Sequence, residues 1–156
     1  MRQGELLGLK WEDVDLQTGT LQVRRTVFNG KISAPKTSKG KRSIRLTKAA
    51  IRALQKHQRQ GEWIFSSRVG APISCHNLYD RSWKPLLGKS GLPLDTRFHD
   101  LRHTCATLLL IKGVHLKVVQ EILGHSNIAI TLDTYSHVLP NMQKEAIQAM
   151  DSLLDE

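Results

Sequence analysis

His99 and Arg102, in the segment His99-Asp100-Leu101-Arg102-His103, are spaced to hold one anion between them. Residues three apart on a helix share a face, and this pair falls in a first turn, where unpaired backbone N–H groups favour negative charge. A phosphate is the natural occupant. The rival is a metal ion held by His99 and His103. Arg102 would aim its charge at such an ion, and Asp100 stands where a His-Glu-x-x-His zinc helix carries glutamate. His103 by itself reads as a core or cap residue. Further on, His125 follows a helix-ending glycine in Leu123-Gly124-His125, and Tyr135 lies ten residues later in Thr131-Leu132-Asp133-Thr134-Tyr135-Ser136-His137. Taken singly, His125 reads as structural and Tyr135 is a weaker signal still. Two cationic groups come earlier: Arg2, ahead of Gln3-Gly4-Glu5-Leu6-Leu7, and Lys36 in Lys36-Thr37.

The elements that must position these groups can be read from periodicity. Leu6, Leu7, Leu9 and Trp11 predict the end of a buried helix, with Trp11 in the core. Thr20 to Phe28 alternates and is rich in β-branched residues, which predicts a strand. Asn29-Gly30 is a strong hairpin signal, so Lys31 to Pro35 should return antiparallel. Thr37 to Lys41 reads as a flexible basic loop and Arg42 to Leu46 as a third strand. Thr47 can cap a helix running to about Gln60, ended by Gly61, and Ser74 a second one running through Leu87. Helical spacing then covers Phe98–Lys112, His115–Leu123 and Ile128–Thr134. After Pro140, the positions Met142, Ala146, Ile147, Met150, Leu153 and Leu154 predict a last amphipathic helix. Its apolar face fits its own core and a neighbouring protomer equally well. The expected fold is a single α+β domain spanning residues 1–156, with a small antiparallel three-stranded sheet packed against a mainly helical body.

Charge narrows the partner. The chain has 156 residues and a formal net charge of +9, unevenly spread. Residues 1–50 carry eleven Lys/Arg against four Asp/Glu, whereas residues 101–156 carry four against six. Lys31, Lys36, Lys39, Lys41, Arg42, Arg45 and Lys48 follow one another with no acid between them. A basic half joined to a near-neutral tail points to a polyanion such as nucleic acid. The longest apolar run, Leu108 to Ile111, is too short to span a bilayer, and no secretory h-region opens the chain. Cys75 and Cys105 match no metal or redox spacing and read as reduced thiols of a cytoplasmic protein.

The series Arg2, Lys36, His99-x-x-Arg102, His125, Tyr135, in that order and in those local settings, resembles the tyrosine recombinases of the phage integrase family. Members typically show an Arg before Glu-Leu-Leu, a Lys on a β-hairpin, His-x-Leu-Arg-His, Leu-Gly-His and a Tyr shortly after. The likeness runs from Arg2 to about Val138. It implies a DNA breaking-rejoining fold and a site-specific recombinase or integrase with double-stranded DNA as partner. It also implies cleavage through a 3′-phosphotyrosyl intermediate without metal, ATP or other cofactor, and assembly of a tetrameric synapse through the helix at 140–154.

The roles this resemblance implies agree with the chemistry of the side chains. A phenol with a pKa near 10 is only about one part in a thousand ionised at neutral pH, so making it a nucleophile costs roughly 4 kcal/mol unless a base or positive field assists. Tyr135 would attack phosphorus. Arg2 and Arg102 would clamp the non-bridging oxygens of the transition state. His99 would be base or hydrogen-bond partner near the phenol, His125 a phosphate contact, and Lys36 the acid for the departing 5′ oxygen. Lys39, Lys41 and Arg42 would bind backbone phosphates, while Arg45 and Lys48 fit that role and a solvated face equally.

The likeness begins at residue 2, whereas family members normally carry further helices and an N-terminal DNA-gripping domain ahead of this point. The expectation is therefore a partial catalytic domain. A second expectation, of a different class, is a truncated DNA-binding or assembly module that keeps these residues without catalysing. A type IB topoisomerase, which shares the chemistry, is a third.

Overall fold

The computed structural model describes residues 1–35, 40–136 and 141–154, with the side chains of 141–146 and 149 outside the description. A short helix α1 (Gln3–Leu7) leads through a 3₁₀ turn (Trp11–Asp13) into five strands: β1 (Val14–Asp15), β2 (Thr20–Val23), β3 (Thr26–Phe28), β4 (Lys31–Ser33) and β5 (Arg42–Arg45). Helix α2 (Lys48–Lys56) follows. The body comprises α3 (Cys75–Leu78), a π turn (Tyr79–Trp83), α4 (Lys84–Lys89), α5 (Asp100–Ile111), α6 (Leu116–Leu123), α7 (Ile128–Tyr135) and α8 (Asn141–Leu154). The expected α+β class is what the structure shows.

The sheet differs from expectation in its membership. The predicted strand from Thr20 to Phe28 is broken at Arg24-Arg25, so β2 and β3 belong to separate sheets. Arg25 turns its guanidinium inward to the Gly8 carbonyl and to Asp13, a carboxylate only 2% exposed. A charge buried that deeply needs a partner close by, and supplying one costs two ladder positions. The strand Arg42–Arg45 then pairs with β2, in register Leu21↔Ile44, rather than with the hairpin. That pairing sets Ile44 against the buried Leu9, Leu21, Val23 and Ile64. Strand β4 is exposed throughout. The third member of the sheet is β1, paired with β2. The hairpin forms as predicted: Asn29 and Gly30 both have positive φ, 47° and 75°, as a type I′ turn requires.

Thr47 and Ser74 cap their helices through Ala50 N (3.2 Å) and Asn77 N (3.1 Å). Helix α2 stops at Lys56, short of Gln60, because the next residue, His57, bonds through its ring to the Ile64 carbonyl at 2.8 Å. The helix from Ser74 reaches Lys89 but loosens into the π turn just ahead of Pro85, whose missing N–H removes one rung of the ladder. Trp11 is only partly buried and packs at the margin of the Leu9–Ile64 cluster.

The cluster that positions the chemistry lies among α5, α6 and α7. Ala106, Leu110, Val119, Leu123 and the ring of Tyr135 pack together there. Truncating a leucine in such a cluster typically costs about 2–5 kcal/mol, so the nucleophile candidate is anchored by the core itself.

Candidate functional site

Arg2 is the N-cap residue of α1, and its backbone N–H donates to Glu5 Oε2 at 2.8 Å. Its half-exposed guanidinium reaches Glu5 Oε1 at 3.1 Å. Glu5 is 3% exposed and also receives Arg42 through two parallel bonds, Nη1 to Oε1 at 3.1 Å and Nη2 to Oε2 at 2.8 Å. Burial alone would raise this carboxyl; the bonds from Arg42 and from the Arg2 backbone outweigh it and hold the pKa at about 2. Glu5 is not among the groups expected at the site from the sequence. Its signal was local, since it stands three residues after Arg2 with Leu6 and Leu7 behind it.

The structure moves Arg42 away from the role expected of it. The side chain is nearly buried, and it also donates to the carbonyls of Ile122 (2.9 Å) and Gly40 (3.1 Å). With both Glu5 oxygens and two carbonyls taken, the fork is committed to joining β5 to α1 and α6. Lys41 beside it is exposed, on the wall of a groove of about 330 Å³ shared with Ser43, Lys117 and His125. Lys36 and Lys39 lie outside the described residues.

Arg102 lies in the first turn of α5 and is 5% exposed. Its Nη2 donates to the Leu123 carbonyl, while its Nη1 finds no partner among the described residues. Burial, and then the charge of Arg2, bring its pKa down to about 10, so it remains a cation at neutral pH. An unsatisfied buried guanidinium donor is costly and is what an anion-binding site keeps in readiness.

Gly124 ends α6 in the left-handed conformation, φ 68°. Its N–H donates to the Gln120 carbonyl at 2.8 Å, and the buried Gln120 side chain holds the His125 carbonyl at 3.0 Å. His125 is thereby fixed at the loop mouth, where its Nδ1 pairs with Thr131 Oγ1 at 2.9 Å. Partial burial, followed by the positive charges of Arg102, Arg2 and Arg42, lowers its pKa to about 4. The imidazole is neutral in ordinary buffers. With Nδ1 occupied, its Nε2 is the nitrogen left to face a ligand.

Tyr135 ends α7 with 2% exposure, and its Oη stands 3.0 Å from His103 Nδ1. Burial raises the phenol above its ordinary value, and the charge of Arg102 acts against that rise. His99 lies at the surface and meets His103 edge-on, ring centroids 4.8 Å apart. Its pKa is lowered by what burial it has, then by His103 and Arg102. By sequence alone His103 reads as a structural residue. Its position one turn after His99 was the available signal. Arg2, Arg102, His99, His125 and Tyr135 are thus drawn from four elements into one neighbourhood. Beside them opens a cavity of about 430 Å³ lined in part by Arg2, Glu5, Gly124 and Ser126.

Guanidinium and imidazole groups are thus gathered around a buried tyrosine on an α+β scaffold. The phage integrase family profile matches residues 1–142. A XerC-like tyrosine recombinase of Caldanaerobacter subterraneus is 34% identical over 98% of this chain and 46% of its own length. The integrase of Salmonella phage P22 is 28% identical over 98% of this chain and 40% of its own. Among solved structures, the Tn1549 transposon integrase in complex with circular intermediate DNA superposes with a TM-score of 0.80 at 28% identity, covering 96% of this chain and 56% of that one. The XerA recombinase does so with a TM-score of 0.70 at 25% identity, covering 92% and 52%. The chain belongs to the phage integrase family. It spans about half the length of the relatives it matches.

Proposed function

We propose that this chain carries out site-specific cleavage and rejoining of double-stranded DNA through a 3′-phosphotyrosyl link at Tyr135. The observation that carries the reading is the Nη1 donor of buried Arg102, without a partner among the described residues and set in the same neighbourhood as Arg2, His125 and the Tyr135 phenol. In this reading Arg2 and Arg102 each donate to a non-bridging phosphate oxygen and neutralise charge as it builds up. Glu5 keeps Arg2 and Arg42 in place without reaching the phosphate. His125 and His99 donate further hydrogen bonds. Lys36 protonates the 5′ oxygen as it leaves. The ester at Tyr135 conserves the phosphodiester bond energy, so rejoining needs neither ATP nor a metal. Lys41 and Lys39 contact flanking phosphates.

The apolar stripe Ile147, Met150, Leu153 and Leu154 on α8, each more than half exposed, is the surface through which we propose that copies associate on DNA, up to a four-copy synapse. The compartment that goes with this substrate is the cytoplasm; among the described residues no helix is long and apolar enough to cross a membrane. The test is a nicked suicide DNA, which should trap a covalent protein–DNA adduct that Tyr135→Phe cannot form. Salt-dependent binding without an adduct would leave a DNA-binding module in place of an enzyme.

A further inference from the structure

The phenol of Tyr135 is engaged, and the group engaging it is not the histidine expected near it. Its Oη lies 3.0 Å from Nδ1 of His103, within the reach required of a general base. His99 instead touches His103, ring to ring at 72° and 4.8 Å between centroids. From this geometry we infer that His103 takes the phenolic proton of Tyr135 as the tyrosine attacks DNA. The inference rests on the strand-cleaving function proposed above and adds a residue to it.

The need for a base follows from packing. Tyr135 sits in the α5–α6–α7 core, an environment that disfavours a free phenolate, so the proton must leave as the new bond forms. His103 is held for this by α5, one residue after Arg102 and one turn after His99. The groups around it are His99 at the N-cap of α5, Asp100 on α5, Tyr135 on α7 and His125 at the α6–α7 turn. For Nδ1 to accept, the resting imidazole carries its proton on Nε2.

The step balances as written. The Oη–H proton passes to His103 Nδ1, the Oη–P bond forms and the P–O5′ bond breaks. The 5′ oxygen takes a proton from the acid proposed to be Lys36. In rejoining, the attacking 5′ hydroxyl returns its proton to that acid, the P–Oη bond breaks, and Oη recovers its proton from His103.

The experiment measures single-turnover cleavage of nicked suicide DNA by the unaltered chain, His103→Asn and Tyr135→Phe, with DNA binding followed in parallel. Each is run on an ordinary substrate and on one with sulfur bridging phosphorus and the 5′ carbon, a leaving group that needs no acid. We expect His103→Asn to bind DNA normally and cleave at least about 10²-fold more slowly, with the deficit persisting on the sulfur substrate. A rate within about threefold of the unaltered chain, or a deficit that the sulfur substrate abolishes, overturns the assignment. A variant that does not fold leaves the nitrogen NMR of the unaltered chain to decide. A His103 ring protonated at Nε2 and bare at Nδ1 supports the inference, and one protonated at Nδ1 overturns it. No adduct from the unaltered chain overturns the function and this role together. An adduct formed at full speed by His103→Asn overturns only the role.

Discussion

Glu5 and Arg42 face each other as a two-bond pair, 2.8 and 3.1 Å, with Gly124 pressed against the guanidinium. Through it, α1, β5 and the α6–α7 turn are locked to one another. Arg2 and Lys41 immediately precede α1 and β5, and His125 lies in the turn.

Breaking that pair should unseat the site as a whole. Glu5→Gln or Arg42→Ala breaks a buried ion pair, an effect of about 3–5 kcal/mol, readable as a lowered midpoint in urea unfolding. Arg102 and Tyr135 would be untouched chemically, yet adduct formation should fall with the stability.

Gly124→Ala should act on the same lock from its other side. A Cβ there would lie 2.6 Å from Arg42 Nη1 at a φ of +68°, and a left-handed alanine by itself costs about 1–2 kcal/mol. Combined with Arg42→Ala the two losses should fall short of additive, because the second change removes what the first collides with. Full additivity in a double-mutant cycle would refute the lock.

Stability should rise with pH across two adjoining windows. The folded Glu5 has a pKa of about 2 against an ordinary 4.5, so its contribution is present above 4.5 and lost as pH falls toward 2. The folded His125 has a pKa of about 4 against 6.5, so the unfolded chain binds the extra proton between those values and stability again drops as pH falls through them. Thermal midpoints from pH 7 to 3 check this, and proton NMR should place the His125 titration near 4.

Arg102→Lys should bind DNA and cleave poorly. A single ammonium cannot serve the Leu123 carbonyl and a phosphate oxygen in the planar geometry of a guanidinium. Losing one aligned donor costs about 10²–10³ in rate, measured as single-turnover adduct formation.

Lys41→Ala should weaken DNA binding about uniformly across sequences and reduce the slope of log K against log salt by about one. Arg42→Ala should show its loss first in stability. This contrast separates two adjacent cations that composition alone treats alike.

Much of the scaffold was legible in local chemistry. Thr47 and Ser74 as caps, Asn29-Gly30 as the hairpin turn, Gly124 as a helix end and the span of α5 depend on short-range preferences that a sequence displays. The break at Arg24-Arg25 was not legible, because it answers to Asp13, which is buried only once the chain has folded. For the same reason Arg42 looked like one more surface cation within a basic run. What separates it from Lys41 is a carboxylate thirty-seven residues away.

By itself, then, the amino-acid order determined the α+β class, the family and the chemical types gathered at the site, since periodicity, caps and spaced polar motifs are written along the chain. Only the tertiary structure decided that the phenol of Tyr135 meets His103 rather than His99, and that Arg42 joins Glu5 inside the protein. Those pairings arise from helices and strands brought together by burial of their apolar faces, and separation along the chain carries no record of such distances.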